Sequence, residues 1–185
     1  MQENGDVFLH QERFTDSLLD KYNKQNCNSN RYVHIEKLPE DPDPPTPAVL
    51  KKLQGYSGEF NWLAARTRPD ISYYTSVLAS ACTKFASWSL EFADKVLRYL
   101  RGAKSQGILI SAQGDLEELE AWTDAGYAGT DTKSQSGLIV MWGGTIITWR
   151  SSRQTVSTLS TAEAELYAAA LGWQIVEGLR LLIRK

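Results

Sequence analysis

The sequence predicts an α/β (α+β) chain in two parts: a block of helices, then a three-stranded antiparallel meander followed by one helix. Three observations carry that expectation. Apolar residues recur at helical spacing from Ala48 to about Gly102. From Gly107 the period shortens to that of strands, and two β-rich runs meet at Gly143-Gly144. A long apolar segment then opens at Ser160, with Glu163 three positions on.

Composition bounds the function. The chain has 185 residues, 42% hydrophobic and 10% aromatic, enough for one good domain or two small ones. A formal net charge of −2 excludes a strongly basic nucleic-acid footprint, though not a local patch. Cys27 and Cys82 form no CxxC pair, so reduced thiols are expected rather than a zinc site or a disulfide framework. His10 and His34 are too isolated for a metal cluster. No run of about 18 apolar residues is seen, and "MQENGDVFLHQ" lacks a signal pattern. The expected setting is intracellular, cytoplasmic or nuclear, without a membrane.

Four segments follow in order: 1–35, 36–47, 48–106 and 107–185. In the first, Gly5-Asp6 marks a turn and Val7 to Leu9 a short strand. Phe14, Leu18 and Tyr22, with Leu19, then form the stripe of a short helix. "EKLPEDPDPPTP" holds five of the six prolines and reads as an extended acidic linker, the expected main boundary. Leu50 and Leu53 open the helical block, which breaks near Arg68-Pro69, with Asp70 suited to a helix start. Phe92, Val96, Tyr99 and Leu100 stripe its last helix, which Gly102 should stop.

In the fourth segment "GILIS" is a short apolar strand, and "LEELEAWTDA" a run that ends at Asp124. "QSGLIVMWGGTIITWRSS" is a hairpin turning on its two glycines. In the closing helix, Ala162, Leu166, Ala169, Trp173, Val176 and Ile183 are expected to share the packed face. The sequence ends inside that helix at Lys185, and no internal repeat is seen.

Several ordered motifs go further than topology. "AWTDAGYAG", "KSQSGLIVMWGGTIITWRSSRQ" and "VSTLSTAEAELYAAA" resemble the RNase H region of copia-type retrotransposon Pol polyproteins. "VFLHQERFTDSLLDKYNKQNC" is similar to the tail of their reverse transcriptase. "TRPDI" and "VLRYLRG" are similar to signatures of their connecting segment. The resemblance covers nearly the whole chain apart from the proline-rich stretch. It implies a reverse transcriptase tail over 1–35, a helical connection over 48–106, and a partial RNase H-like fold over 107–185.

The resemblance also implies a chemistry, hydrolysis of the RNA strand of an RNA–DNA hybrid with two Mg²⁺ ions held by carboxylates. Asp124 matches the family's first-strand aspartate, and Glu165 its helix glutamate; both are thereby expected catalytic and metal-ligating residues. Glu163 is the competing glutamate. Helical angles do not separate the two, but the capping box gives Glu163 a local role. For Asp124 the other reading is a strand-end turn residue, and for Glu165 a solvated helix face.

The family's remaining carboxylates would follow Lys185, so the isolated chain is expected to be catalytically incomplete, with weak or absent Mg²⁺ binding. Gly126 stands where the family often has a second aspartate, which lowers local negative charge. A truncated sheet would leave an edge open, with Trp142, Trp149 and Trp173 partly exposed or packed on the helical block.

Arg150, Arg153 and Gln154 are expected on the loop before the last helix. There the resemblance makes them candidate hybrid-backbone contacts, against a solvated loop as the alternative. Lys95, Arg98, Arg101 and Lys104 form either a charged surface face, the favoured reading, or part of a basic binding face. Expected partners are an RNA–DNA hybrid and the rest of the Pol polyprotein. The alternatives to an enzyme fragment are a non-catalytic nucleic-acid- or protein-binding module and a reading frame without function of its own.

Overall fold

Val7–His10 (β1), early in the sequence, is hydrogen-bonded to Gly107–Ile110 (β2), which follows the helical block in sequence. The computed structural model describes residues 5–128 and 133–183. The chain divides into two compact units, one of His10–Gly107 and one that joins Met1–Leu9 to Ile108–Lys185. Gly129 and Lys185, noted in the sequence, lie outside the described residues.

The first unit is helical: α1 (Glu12–Lys21), α2 (Pro47–Arg66), a 3-10 turn at Pro69–Ile71, α3 (Ser72–Ala81) and α4 (Ala86–Gly102). Its core draws Leu18 and Leu19 from α1, Leu53, Phe60 and Leu63 from α2, Leu78 from α3, and Val96, Leu97 and Leu100 from α4. Each such side chain contributes about 1.5–3 kcal/mol on leaving water. Phe92 stacks on Trp88 with ring centroids 4.8 Å apart. Pro69 supplies the expected break. Beside it Arg68, fully buried, grips Asp70 with two hydrogen bonds (2.9 and 2.7 Å) and donates a third to the Ala103 carbonyl at 2.9 Å.

The basic residues of α4 and its end are all engaged inside this unit. Lys95 pairs with Glu36, Arg98 with Asp94, and Lys104 with Asp16, while Arg101 donates to the Gln25 carbonyl. Lys24 also reaches Asp94. These cations tie the incoming chain to α4.

The proline-rich stretch is extended, as expected, but it is docked rather than a free linker. Val33 is buried ahead of it, and Glu36 is held by Lys95. Asp43 accepts from the Ser87 N–H at 2.8 Å, and its carbonyl accepts from the Ala86 N–H. Asp43 thus caps α4, whose own N-cap residue, Phe85, has no side chain to do so. Proline forbids regular structure, but it leaves acidic side chains free to satisfy a neighbouring helix end.

In the second unit β3 (Leu119–Gly126), β4 (Gln135–Trp142) and β5 (Thr145–Arg153) form the antiparallel meander in that order. "GILIS" belongs to β2 and stands outside it. Gly143 (φ 55°) and Gly144 (φ 73°) make the two-residue turn, in the left-handed conformation that a tight hairpin requires. A bulge lies between Val140 and Met141.

The closing helix α5 (Thr161–Ile183) lies on β3 and β4. By length and composition alone it could cross a membrane, but its small residues are packed on the sheet. The packed face is Ala164, Ala168 and Gly172, not the face expected from the larger apolar residues. The reason is distance: a Cβ on Gly172 would sit 2.5 Å from Thr123 Cγ2. Only small residues let the helix come that near, so Leu166 (70% exposed) and Trp173 (65%) are left outward. Trp142 and Trp149 are half-buried, and the Trp142 indole N–H donates to the Leu116 carbonyl.

Candidate functional site

Asp124 lies near the end of β3, opposite Gly137 of β4 and, through it, Ser151 of β5. The direction of its side chain follows from its neighbours. Thr123 meets Gly172 of α5, and Ala125 pairs with Ser136, whose hydroxyl is bonded to Gln154 just before the helix. Residues 123 and 125 therefore face α5, and strand alternation turns Asp124 to the opposite, open face. Trp122, 62% exposed, shares that face, in register with Ile139 and Trp149. Asp124 is exposed, and its carboxylate has no hydrogen bond or ion pair among the described residues.

Glu165 stands in the second turn of α5, exposed and without a side-chain partner among the described residues. Glu163 is engaged at the helix start. Its backbone N–H donates to Ser160 Oγ at 3.1 Å, and its carboxylate accepts from the Leu159 N–H at 2.6 Å. The reciprocal bond reaches one residue further back than a standard capping box, but its effect is the same: Glu163 is tied to the cap. Both unpaired carboxylates are hard oxygen donors of the type Mg²⁺ takes. They project from different elements, Asp124 on the sheet face away from α5. Among the described residues no group of three or more His, Cys, Asp or Glu could hold a metal ion.

The basic pair differs from expectation. Arg150 and Arg153 lie within β5, not on a loop, opposite Leu138 and Gln135 respectively. Three positions apart on a strand, they point to opposite faces. Arg153 shares the open face with Asp124. Both guanidinium groups are exposed, and neither has an internal partner among the described residues.

Gln154 is a correction. It is 2% exposed, and its side-chain amide donates to Ser136 Oγ and to the Ala164 carbonyl, both at 2.9 Å. Its backbone N–H donates to the Ser134 carbonyl. That glutamine fastens β4 to the start of α5 and has no donor left for a nucleic-acid phosphate. A polar side chain just beyond a strand gives no sign in sequence of whether it will be buried. The partners that bury it are 10 and 18 residues away.

Sequence comparison bears on this arrangement. The chain is 35% identical over 121 residues to the retrovirus-related Pol polyprotein from transposon RE1 of Arabidopsis thaliana, covering 64% of this chain and 8% of that protein. It is 28% identical over 172 residues to the Pol polyprotein from transposon TNT 1-94 of Nicotiana tabacum, covering 88% of this chain and 13% of that one. An uncharacterized mitochondrial protein of Arabidopsis thaliana is 27% identical over 176 residues, 89% of this chain and 69% of its own length. No family model matches the chain, and no solved structure matches it. The chain thus spans a small part of the Pol polyproteins it matches, and over most of its length it is similar to the retrovirus-related Pol polyproteins of transposons.

Proposed function

We propose that the chain is a portion of a copia-type Pol polyprotein, with Asp124 and Glu165 at ligand positions of an RNase H-like site. In the parent, that site would cleave the RNA strand of an RNA–DNA hybrid with Mg²⁺. The observation that carries this reading is the pairing of motif with element. "AWTDAG" forms the first strand of an antiparallel meander, "AELYAA" the opening turns of the helix on it, and each carboxylate is unpaired. The donors are chemically right, but they are numerically short and not gathered on one side of the sheet, since Asp124 faces away from the helix that carries Glu165. Two carboxylates leave most of an octahedral Mg²⁺ shell to water, so these residues alone do not make a complete site.

The test is cleavage of a labelled RNA–DNA hybrid by the purified chain in Mg²⁺. The reading expects no cleavage above background. Cleavage abolished by Asp124→Asn would overturn the incompleteness and keep the assignment; cleavage indifferent to Asp124→Asn and Glu165→Gln would overturn the assignment.

The exposed guanidinium groups of Arg150 and Arg153 favour a second reading, a non-catalytic hybrid-binding module. It expects salt-dependent binding whose log–log slope falls by about one unit in Arg153→Ala. Absence of binding at low salt removes it.

A further inference from the structure

The cations of the helical unit are not engaged evenly. Those of α4 and its end are all paired or bonded inside the unit, and Lys21 of α1 is paired with Glu59, the one carboxylate of α2. Lys51, Lys52 and Arg66 of α2 are exposed, and among the described residues none of them meets a carboxylate. Lys52 and Arg66 lie instead over aromatic rings. Lys52 Nζ is 5.8 Å from the Tyr56 centroid, and the Arg66 guanidinium is 4.9 Å from that of Trp62. Trp62 is itself 49% exposed.

These residues share one side of the helix. At about 100° per residue, Lys51, Trp62, Arg66 and Lys52 fall within about 100° of arc. Gly58 stands at its margin, one turn before Trp62, and a Cβ there would meet nothing within 4 Å. Glycine is a poor helix former, and no described neighbour requires it there. Of the acidic stretch that leads into α2, Glu36 and Asp43 are turned to α4. The whole chain has a net charge of −2, yet α2 sets Lys51, Lys52 and Arg66 against Glu59, which Lys21 already neutralises.

We propose that this side of α2 binds single-stranded nucleic acid, with phosphates on Lys51, Lys52 and Arg66 and a base stacked on Trp62. Charge selects a polyanion. A protein element laid over these cations would have to bring a carboxylate for each, or leave buried charge unpaired. The exposed indole beside an arginine then selects a strand with free bases, because such a platform stacks any base whatever its sequence. In a duplex the bases are paired and stacked on one another, out of the indole's reach. Lys51 and Arg66 are about 22 Å apart along the helix axis, so the face takes several nucleotides rather than one phosphate. It lies in the helical unit and does not rest on the carboxylate site of the other unit.

Fluorescence anisotropy of a labelled oligouridylate of about 12 nucleotides, within the usual site size for single strands, tests this on the whole chain. Salt-dependent binding is expected. Trp62→Ala should weaken it about fivefold or more, the loss of one stacked base. Lys51→Gln and Arg66→Gln should each lower the log–log salt slope by about 0.7. Gly58→Glu, which sets a carboxylate among the cations, should weaken binding without lowering the urea midpoint, because it removes a glycine from mid-helix. Absence of binding at low salt overturns the proposal. So does an affinity indifferent to Trp62→Ala or to Gly58→Glu. Poly-glutamate that displaces the labelled strand as well as an equal charge of unlabelled oligouridylate also overturns it, and would mark the face as a dock for an acidic protein segment. None of these readouts involves metal or hybrid cleavage, so this face and the proposed carboxylate site stand or fall separately.

Discussion

Gly172 lies so close over Thr123 that a single added carbon would come within 2.5 Å of the threonine methyl. This approach fixes which residues of α5 are buried, and it turns Asp124 to the other side of the sheet. Gly172→Val should destabilise the second unit by about 1–3 kcal/mol, since neither partner can retreat without moving the helix. Gly172→Ala carries the same clash, partly offset by about 1 kcal/mol of helix propensity. Urea denaturation of these variants, alone and with Thr123→Ala, checks it: the valine variant should lose less in the Thr123→Ala background.

Arg68 is the most consequential polar residue of the helical unit. It is buried with its guanidinium bonded to Asp70 and to the Ala103 carbonyl, over the Tyr99 ring. Arg68→Met leaves the Ala103 carbonyl without this donor and Asp70 with only the Tyr99 hydroxyl, and should cost about 3 kcal/mol or more. Arg68→Lys should recover little, because an ammonium cannot span both carboxylate oxygens and the carbonyl. The urea midpoints of the two variants should lie close together and well below wild type.

Stability should fall at both ends of the pH scale. The hydrogen bonds from Ser87 hold the Asp43 carboxyl below its ordinary range, and the bond from Lys95 does the same for Glu36. Folded values below unfolded ones mean stabilisation that is present above the unfolded carboxylate range, near pH 4, and lost as pH falls through the lowered values. At the alkaline end, burial and then the hydrogen bond to Asp70 push the Tyr99 phenol up to about 12; burial and then Glu59 push Tyr22 up as well. A raised folded value stabilises fully below the unfolded value of about 10 and is lost as pH rises toward the folded one. Urea midpoints from pH 2.5 to 11.5 should show both limbs, and Asp43→Asn should shrink the acid one.

Gln154 and Arg153, adjacent in sequence, should separate cleanly. Gln154→Ala leaves Ser136 and the Ala164 carbonyl without their donor and should cost about 1–3 kcal/mol. Any affinity for an RNA–DNA hybrid should be unchanged under conditions where that variant is folded. Arg153→Ala should do the reverse, leaving the melting temperature within a degree or two while weakening hybrid binding at low salt. Thermal melts and fluorescence-anisotropy titrations of the two variants decide it.

Local chemistry determined much by itself. Helical periodicity marks α1 and α4, Pro69 breaks the helical block, two glycines turn the β4–β5 hairpin, and Ser160 with Glu163 opens α5. These features act over a few residues, so neighbours in sequence suffice to decide them. Asp124 and Glu165 stand on the strand and the helix that their sequence neighbourhoods predict.

What tertiary structure alone decided is which side each element shows and what each polar group meets. Hydrophobic periodicity chose the larger side chains as the packed face of α5, but the short helix–sheet distance admitted only alanine and glycine. Lys95 of α4 and Lys104 just beyond it could not reveal that their counter-ions lie on the proline-rich stretch and on α1, up to 88 residues away. Strand β1 pairs with β2, although the whole helical unit separates them in sequence. In each case the deciding partner is distant in sequence, and the free energy of the contact exists only once the chain has brought the two together.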